Sequence, residues 1–114
     1  MHELPVTESI LEIALRHGNE AHAKRITNIY LVIGQLSSII DDSVQFYWDI
    51  VSKSTLAESA QLHFRRIPTE LHCQECNFRY PPKEGDLTCQ RCGSSQVNVI
   101  AGTEFFLEAI DVET

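Results

Sequence analysis

The sequence predicts an α+β fold: a small mixed three-stranded sheet with two helices, interrupted by an inserted module built around cysteines. Three observations carry this. Two segments repeat apolar residues at helical spacing, three segments read as strands, and all four cysteines fall between the second and third of those strands. A chain of 114 residues, 43% hydrophobic, suits one small domain with an appendage and has enough apolar material for a core.

Residues 5–18 form the first predicted helix. Val6, Ile10, Ile13, Ala14 and His17 share one face, while Glu8, Glu12 and Arg16 line another at i, i+4. Pro5 suits the first turn, and Gly18 is placed to end the helix in a left-handed conformation. Residues 25–34 are β-branched and aromatic, with a nearly continuous apolar run from Ile29 to Ile33 that predicts a strand buried on both faces. A second helix starts near Asp42, where Asp42 and Gln45 have the capping-box spacing, and carries the stripe Val44, Tyr47, Trp48, Val51. Trp48, the single tryptophan, reads as a core anchor. Residues 61–67 alternate Leu62 and Phe64 with polar neighbours as a half-exposed strand, which Pro68 ends. Residues 98–112 read as the last strand, bent at Gly102, and pair antiparallel with 61–67 on either side of the cysteine module. The resulting division is an α/β domain of residues 1–70 and 98–114, with an insert at 71–97.

Charge and length exclude several functions. Sixteen acidic against nine basic side chains give a net charge of −7, without a basic region in either half, which argues against nucleic acid as a partner. The sequence shows neither an apolar run of about 18 residues nor a secretion signal, so the expectation is a cytosolic chain whose thiols stay reduced. No Ser/His/Asp set, phosphate-binding glycine loop or paired carboxylates on one element suggest an enzyme.

The cysteines form two pairs, Cys73-Gln-Glu-Cys76 and Cys89-Gln-Arg-Cys92, separated by twelve residues. Two residues between thiolates let both sulfurs reach one ion from a tight turn. Two such turns complete the tetrahedral S4 geometry of structural zinc, so the insert reads as a zinc-ribbon domain. Each turn tends to need a residue tolerant of positive φ after its second cysteine, and Asn77 and Gly93 hold those places. Four protein thiolates leave no open position for an activated water. Zinc loading would take the charge from −7 to −9, since four thiolates and one dication add −2. Rubredoxin-like iron is the chief competitor. Thioredoxin-like redox motifs fit less well, because neither pair opens a helix after a strand.

The chain begins Met1-His2-Glu3. A terminal amine, the amide nitrogen of residue 2 and the His2 imidazole can close fused five- and six-membered chelate rings, a donor set suited to square-planar Ni²⁺ or Cu²⁺. Taken alone, a histidine at position 2 is more often a solvated terminus. His17 is expected to be packed or capping, and His22 and His63 to be solvated. His72, beside Cys73, is the histidine placed to serve the cysteine module as an extra donor, though a solvent-exposed place suits it better.

The combination of MHE at the start, VIGQLSSI, SVQFYWDIV followed by TLAESAQL, C-x2-C-x12-C-x2-C and the closing Gly102-Thr103-Glu104 resembles the HypA/HybF family, nickel-incorporation proteins for maturation of nickel–iron hydrogenase. The resemblance spans essentially the whole chain. Gln90 stands where the second knuckle often has proline, and Ser59 where the family usually has glycine; neither is a ligand. The resemblance implies nickel bound by the Met1 amine and by the His2 amide and side chain. Glu3 would complete or orient that site through its backbone nitrogen or carboxylate. Cys73, Cys76, Cys89 and Cys92 would hold structural zinc. It also implies two partners, the hydrogenase large-subunit precursor and the HypB GTPase, with urease maturation proteins served by some members. Since nickel must displace protons and meet a neutral imidazole, affinity is expected to fall as pH drops through about 6.5. Two other readings stand beside this one: a rubredoxin-like iron electron carrier, and a nickel-free zinc-ribbon interaction module.

Overall fold

A computed structural model describes residues 3–114. Their elements run α1 (Glu3–Glu20), β1 (Arg25–Gly34), α2 (Asp41–Val51), β2 (Gln61–Ile67), β3 (Glu70–Cys73), β4 (Arg79–Tyr80), β5 (Val97–Ala101) and β6 (Phe105–Glu113). They form two three-stranded sheets, ordered β2-β1-β6 and β4-β3-β5. Two compact units result, one within Met1–Val32, Ser38–Arg65 and Phe105–Thr114, the other within Ile33–Ser37 and Arg66–Glu104. The cysteine-bearing unit thus reaches past residues 71–97 on both sides and takes in a short stretch of β1.

β1 is the central strand of the first sheet, as its sequence demands. Ile26, Ile29, Leu31, Val32 and Ile33 are all at most 1% exposed, and full burial of each such side chain is worth about 1.5–3 kcal/mol. β6 runs antiparallel to β1: the Lys24 N–H donates to Glu113 O, and further along β1 the Thr27 hydroxyl donates to Asp111 O. β2 runs parallel to β1, with His63 beside Asn28 and the Gln35 N–H donating to Ile67 O. The sheet is therefore mixed, with α2 as the crossover.

Two expectations about these strands fail. β2 and the last strand do not pair with each other, because β1 lies between them. Residues 98–112 are also not one bent strand. The chain breaks at Gly102, whose φ of 112° ends β5 in the second sheet before β6 begins in the first. Local alternation is blind to both facts, since it records which faces are apolar but not which edges meet.

α1 packs on α2 and β6 through Thr7, Ile10, Ala14 and Gly18, all buried, with the Thr7 hydroxyl donating to Glu3 O at 2.6 Å. His17 is exposed, its Nδ1 3.7 Å from Glu20. Gly18 does not end the helix. It lies within it, where an added Cβ would sit 3.0 Å from Ile26 Cδ1, so glycine is there for close approach to β1. The end is made by His22 at φ 55°, with the Ala23 N–H donating to Gly18 O and the His22 N–H to Asn19 O, a Schellman motif. A left-handed residue with a Cβ costs about 1 kcal/mol, part of which glycine returns as unfolded-state entropy. His22→Gly is therefore expected to stabilise the protein by about 0.5 kcal/mol, read as a raised urea midpoint at constant m-value.

α2 buries Val44 and Trp48 and half-buries Tyr47 and Val51, the stripe expected of it, with Trp48 as the core anchor. Its start differs from expectation. The cap residue is Ile40, which makes no side-chain cap, and the Gln45 side chain bonds Asp49 rather than closing a box with Asp42. The carboxylate of Glu3 meets this end instead, accepting from the Ile40 N–H at 3.4 Å.

Candidate metal centre

β3 is the middle strand of the second sheet, antiparallel to β4 and β5. It delivers Cys73 at its end, and the chain turns at once into the first knuckle. The Asn77 N–H donates to Cys73 O, and Asn77 takes φ 63° so that the Cys73 N–H can meet Phe78 O. The second knuckle repeats this: Gly93 donates to Cys89 O at φ 77°, and the Cys89 N–H meets Ser94 O. Both residues chosen for tolerance of positive φ adopt it. Between the knuckles the Pro81-Pro82 segment leads into a tight turn, with Lys83 and Asp86 bridged around Gly85 at φ 76°.

This geometry converges four sulfurs. The Sγ atoms of Cys73, Cys76, Cys89 and Cys92 all lie within 4.8 Å of one another, with Cys73–Cys92 and Cys76–Cys89 each at 3.6 Å. Tetrahedral zinc with 2.3 Å bonds needs sulfurs roughly 3.8 Å apart. The donor set fits one zinc ion: the two pairs at 3.6 Å already have that spacing, and the widest pair needs to close by only about 1 Å.

Electrostatics point the same way. Burial pushes the Cys89 thiol up, but the amides of Cys92 and Arg91 donate to its sulfur at 3.4 Å and, with its thiol neighbours, bring it down to about 6. The Ser94 amide pulls Cys92 down, yet burial and the three other sulfurs outweigh it and push Cys92 up to about 12. Four thiolates this close cannot all carry charge without a cation among them. A dication removes that conflict. The backbone donors to Cys89 and the Arg91 guanidinium 5.8 Å above the Phe78 ring escaped the sequence reading. The first belong to the peptide chain of any CxxC turn, and the second depends on how the two knuckles face each other.

Met1 and His2, read from sequence as nickel donors, lie outside the described residues. Glu3 is inside them and 8% exposed, with its carboxylate on the Ile40 N–H and its carbonyl on Thr7. The remaining histidines do not join a donor cluster among the described residues. His63 is half-buried, stacked on Tyr30 at 4.8 Å and bonded to Asn28 Oδ1 at 2.7 Å. His72 is half-buried in β3, opposite Arg79 and Asn98. No described helix is long and apolar enough to cross a membrane.

Comparison with known proteins agrees with this picture. A family model described as "Hydrogenase/urease nickel incorporation, metallochaperone, hypA" matches residues 1–112. A hydrogenase maturation factor HypA from Dehalococcoides mccartyi is 42% identical over 113 residues, 99% of this chain and 95% of the relative. One from Caldanaerobacter subterraneus is 33% identical, covering 99% and 100%. Among solved structures, that of the Ni metallochaperone HypA from Helicobacter pylori superposes with TM-score 0.70 at 23% identity, covering 99% of this chain and 98% of that one. Another HypA solution structure gives 0.77 at 24%, covering 98% and 96%. These two carry the fold. With a family model along nearly its whole length and relatives above 30% identity that are covered almost end to end, the chain belongs to the HypA family of nickel metallochaperones for hydrogenase maturation.

Proposed function

We propose that the two metals are divided between two parts of the chain. The α/β domain, residues 1–70 and 98–114, carries nickel at Met1, His2 and Glu3, while the ribbon at 71–97 holds structural zinc at Cys73, Cys76, Cys89 and Cys92. The convergence of four sulfurs within 4.8 Å is the observation that carries the zinc half. The terminal donor set carries the nickel half. In that half Glu3 acts as an orienting residue, since its carboxylate is already engaged with the first turn of α2. The protein binds and transfers metal without catalysing a reaction. It works in the cytoplasm, handing nickel to the hydrogenase large-subunit precursor with the HypB GTPase, and the family model's description extends the same role to urease maturation.

A few nitrogen donors suit a carrier, which must release what it binds, better than a closed cage. Selectivity then comes from square-planar geometry, since copper exceeds nickel in affinity alone. Ni²⁺ titration of untagged, zinc-saturated protein tests this. One equivalent of nickel is expected to bind, and His2→Ala is expected to weaken it by at least about tenfold with zinc content unchanged, the loss of one good donor. A one-residue N-terminal extension should do the same. Unchanged affinity in His2→Ala would sink the terminal site. A colourless tetrathiolate after purification separates zinc from rubredoxin-like iron.

A further inference from the structure

β6 is an edge strand, paired with β1 on one side only. Natural edges are commonly guarded by lysine, proline, a bulge or a covering element. The nine residues of β6 contain neither lysine nor proline. Its acidic side chains are drawn back across the sheet. Glu113 pairs with Arg25, Glu108 with Arg65 at 2.7 Å, and Asp111 accepts from the Tyr30 hydroxyl at 2.6 Å and from Asn28.

Beside this edge, α1 leaves two hollows. One, of about 440 Å³, is lined by Ile13, His17 and Ala21 with Leu107, Ile110 and Val112 among the β6 residues. The other, of about 390 Å³, is lined by Val6, Ile10 and Ile13 with Phe105–Leu107. They share Ile13 and Leu107 and so adjoin as one trough, mostly apolar but with His17 and Glu108 on its wall, and neither includes a β1 residue. The trough therefore follows the unpaired side of β6. An open strand edge with a helix standing beside it is the arrangement into which an extended segment adds as a further strand, its backbone bonding the edge and alternate side chains filling the hollows.

Charge decides between occupants. The protein carries −7, and β6 contributes three acids and no base. Two copies pairing through β6 would gather six carboxylates in one two-stranded ribbon, four of them partly offset by Arg25 and Arg65 and the two Asp111 carboxylates facing only neutral partners, between molecules that already repel. A segment with basic residues between its apolar ones reverses that sign, and the side chains of Glu108 and Glu113, 43% and 60% exposed, remain open to it. The geometry points to the β6–α1 trough as a docking site for an extended, basic, alternately apolar segment of a partner protein.

The test uses the zinc-loaded full chain and the peptide acetyl-KVKLKVK-amide, followed by amide hydrogen exchange and titration. Exchange of the β6 amides is expected to slow by about tenfold or more on saturation. Affinity should fall severalfold between low and high salt, and the peptide with Glu for Lys should not bind. Ile110→Lys should abolish binding. Ala21→Trp should abolish it too, filling the trough from an exposed position outside the sheet and so controlling for misfolding of the first variant. Equal binding of the acidic peptide, binding untouched by either variant, or absence of protection along β6 would each overturn the assignment. So would a β6-mediated dimer in sedimentation that the basic peptide leaves intact, which would make a second copy the occupant.

Discussion

Stripping the zinc, or replacing Cys89 with Ser, is expected to unfold the ribbon unit while the β1 core stays formed. The reason is the composition of the small core there. Its buried residues are Leu71, Cys73, Tyr80 and Cys89, with Cys76, Phe78 and Val97 packed against them. Two of the four buried members are ligands, so the metal and the core are the same structure. Structural zinc contributes roughly 10 kcal/mol or more to the folding of such modules at neutral pH, far beyond what this cluster could supply alone. Hydrogen exchange resolves the outcome. Protection is expected to vanish over Leu71–Cys73 and Val97–Ala101 on chelation and to persist over Ile29–Val32. Retained protection in β3 and β5 without metal would contradict it.

Gly34→Ala carries the next largest expected effect. An added Cβ would stand 2.1 Å from Gly102 O and 2.6 Å from Thr103 N, both backbone atoms. The crossing cannot relax cheaply, because it is hydrogen-bonded throughout: Gly34 N–H to Glu104 O, Leu36 N–H to Gly102 O, Gly102 N–H to the Glu104 carboxylate, and Thr69 N–H to the Gln35 side chain. Gly102 itself has φ 112° and would press a Cβ to 2.8 Å from Thr69 Cα. Overpacking against fixed backbone costs roughly 3 kcal/mol or more. Gly85→Ala is the contrasting case, with φ at 76° but nothing within 4 Å, so that it carries only the conformational cost of about 1 kcal/mol and none of the steric one. Urea denaturation of the two variants should separate them by about 2 kcal/mol. Equal stabilities would show that the crossing is softer than its distances imply.

How legible each feature was follows from the range of the interaction that makes it. The α2 stripe, the buried run of β1 and the αL places at Asn77 and Gly93 are local, set by neighbours within a turn or two, and the structure has them; in α1 only Ile10 and Ala14 of the expected stripe are fully buried, and His17 is exposed. The four cysteines were legible because metal chemistry imposes a spacing on the chain itself. Gly18 was read as the end of its helix, the usual local meaning of glycine, but it lies inside α1 as a site of close approach to Ile26. Gly34 does close β1, yet it is also pressed against Gly102, a partner far along the chain that local patterning does not see. The start of α2 shows the same limit: Asp42 had the right spacing for a cap, but Glu3, 37 residues earlier than Ile40, holds that N–H. The pairing of β2 and β6 with β1 rather than with each other is likewise a matter of topology.

The four thiols also differ in how far solvent reaches them: Cys73 and Cys89 are buried, Cys76 is half-buried and Cys92 is exposed. The site thus has a front. Oxidants, alkylating reagents and competing chelators that strip metal ligand by ligand meet Cys92 first and the β3 sulfur last, so the lifetime of the ribbon is governed by one corner. Shielding that single sulfur is therefore expected to slow loss of the metal while leaving the buried contacts of the core as they are.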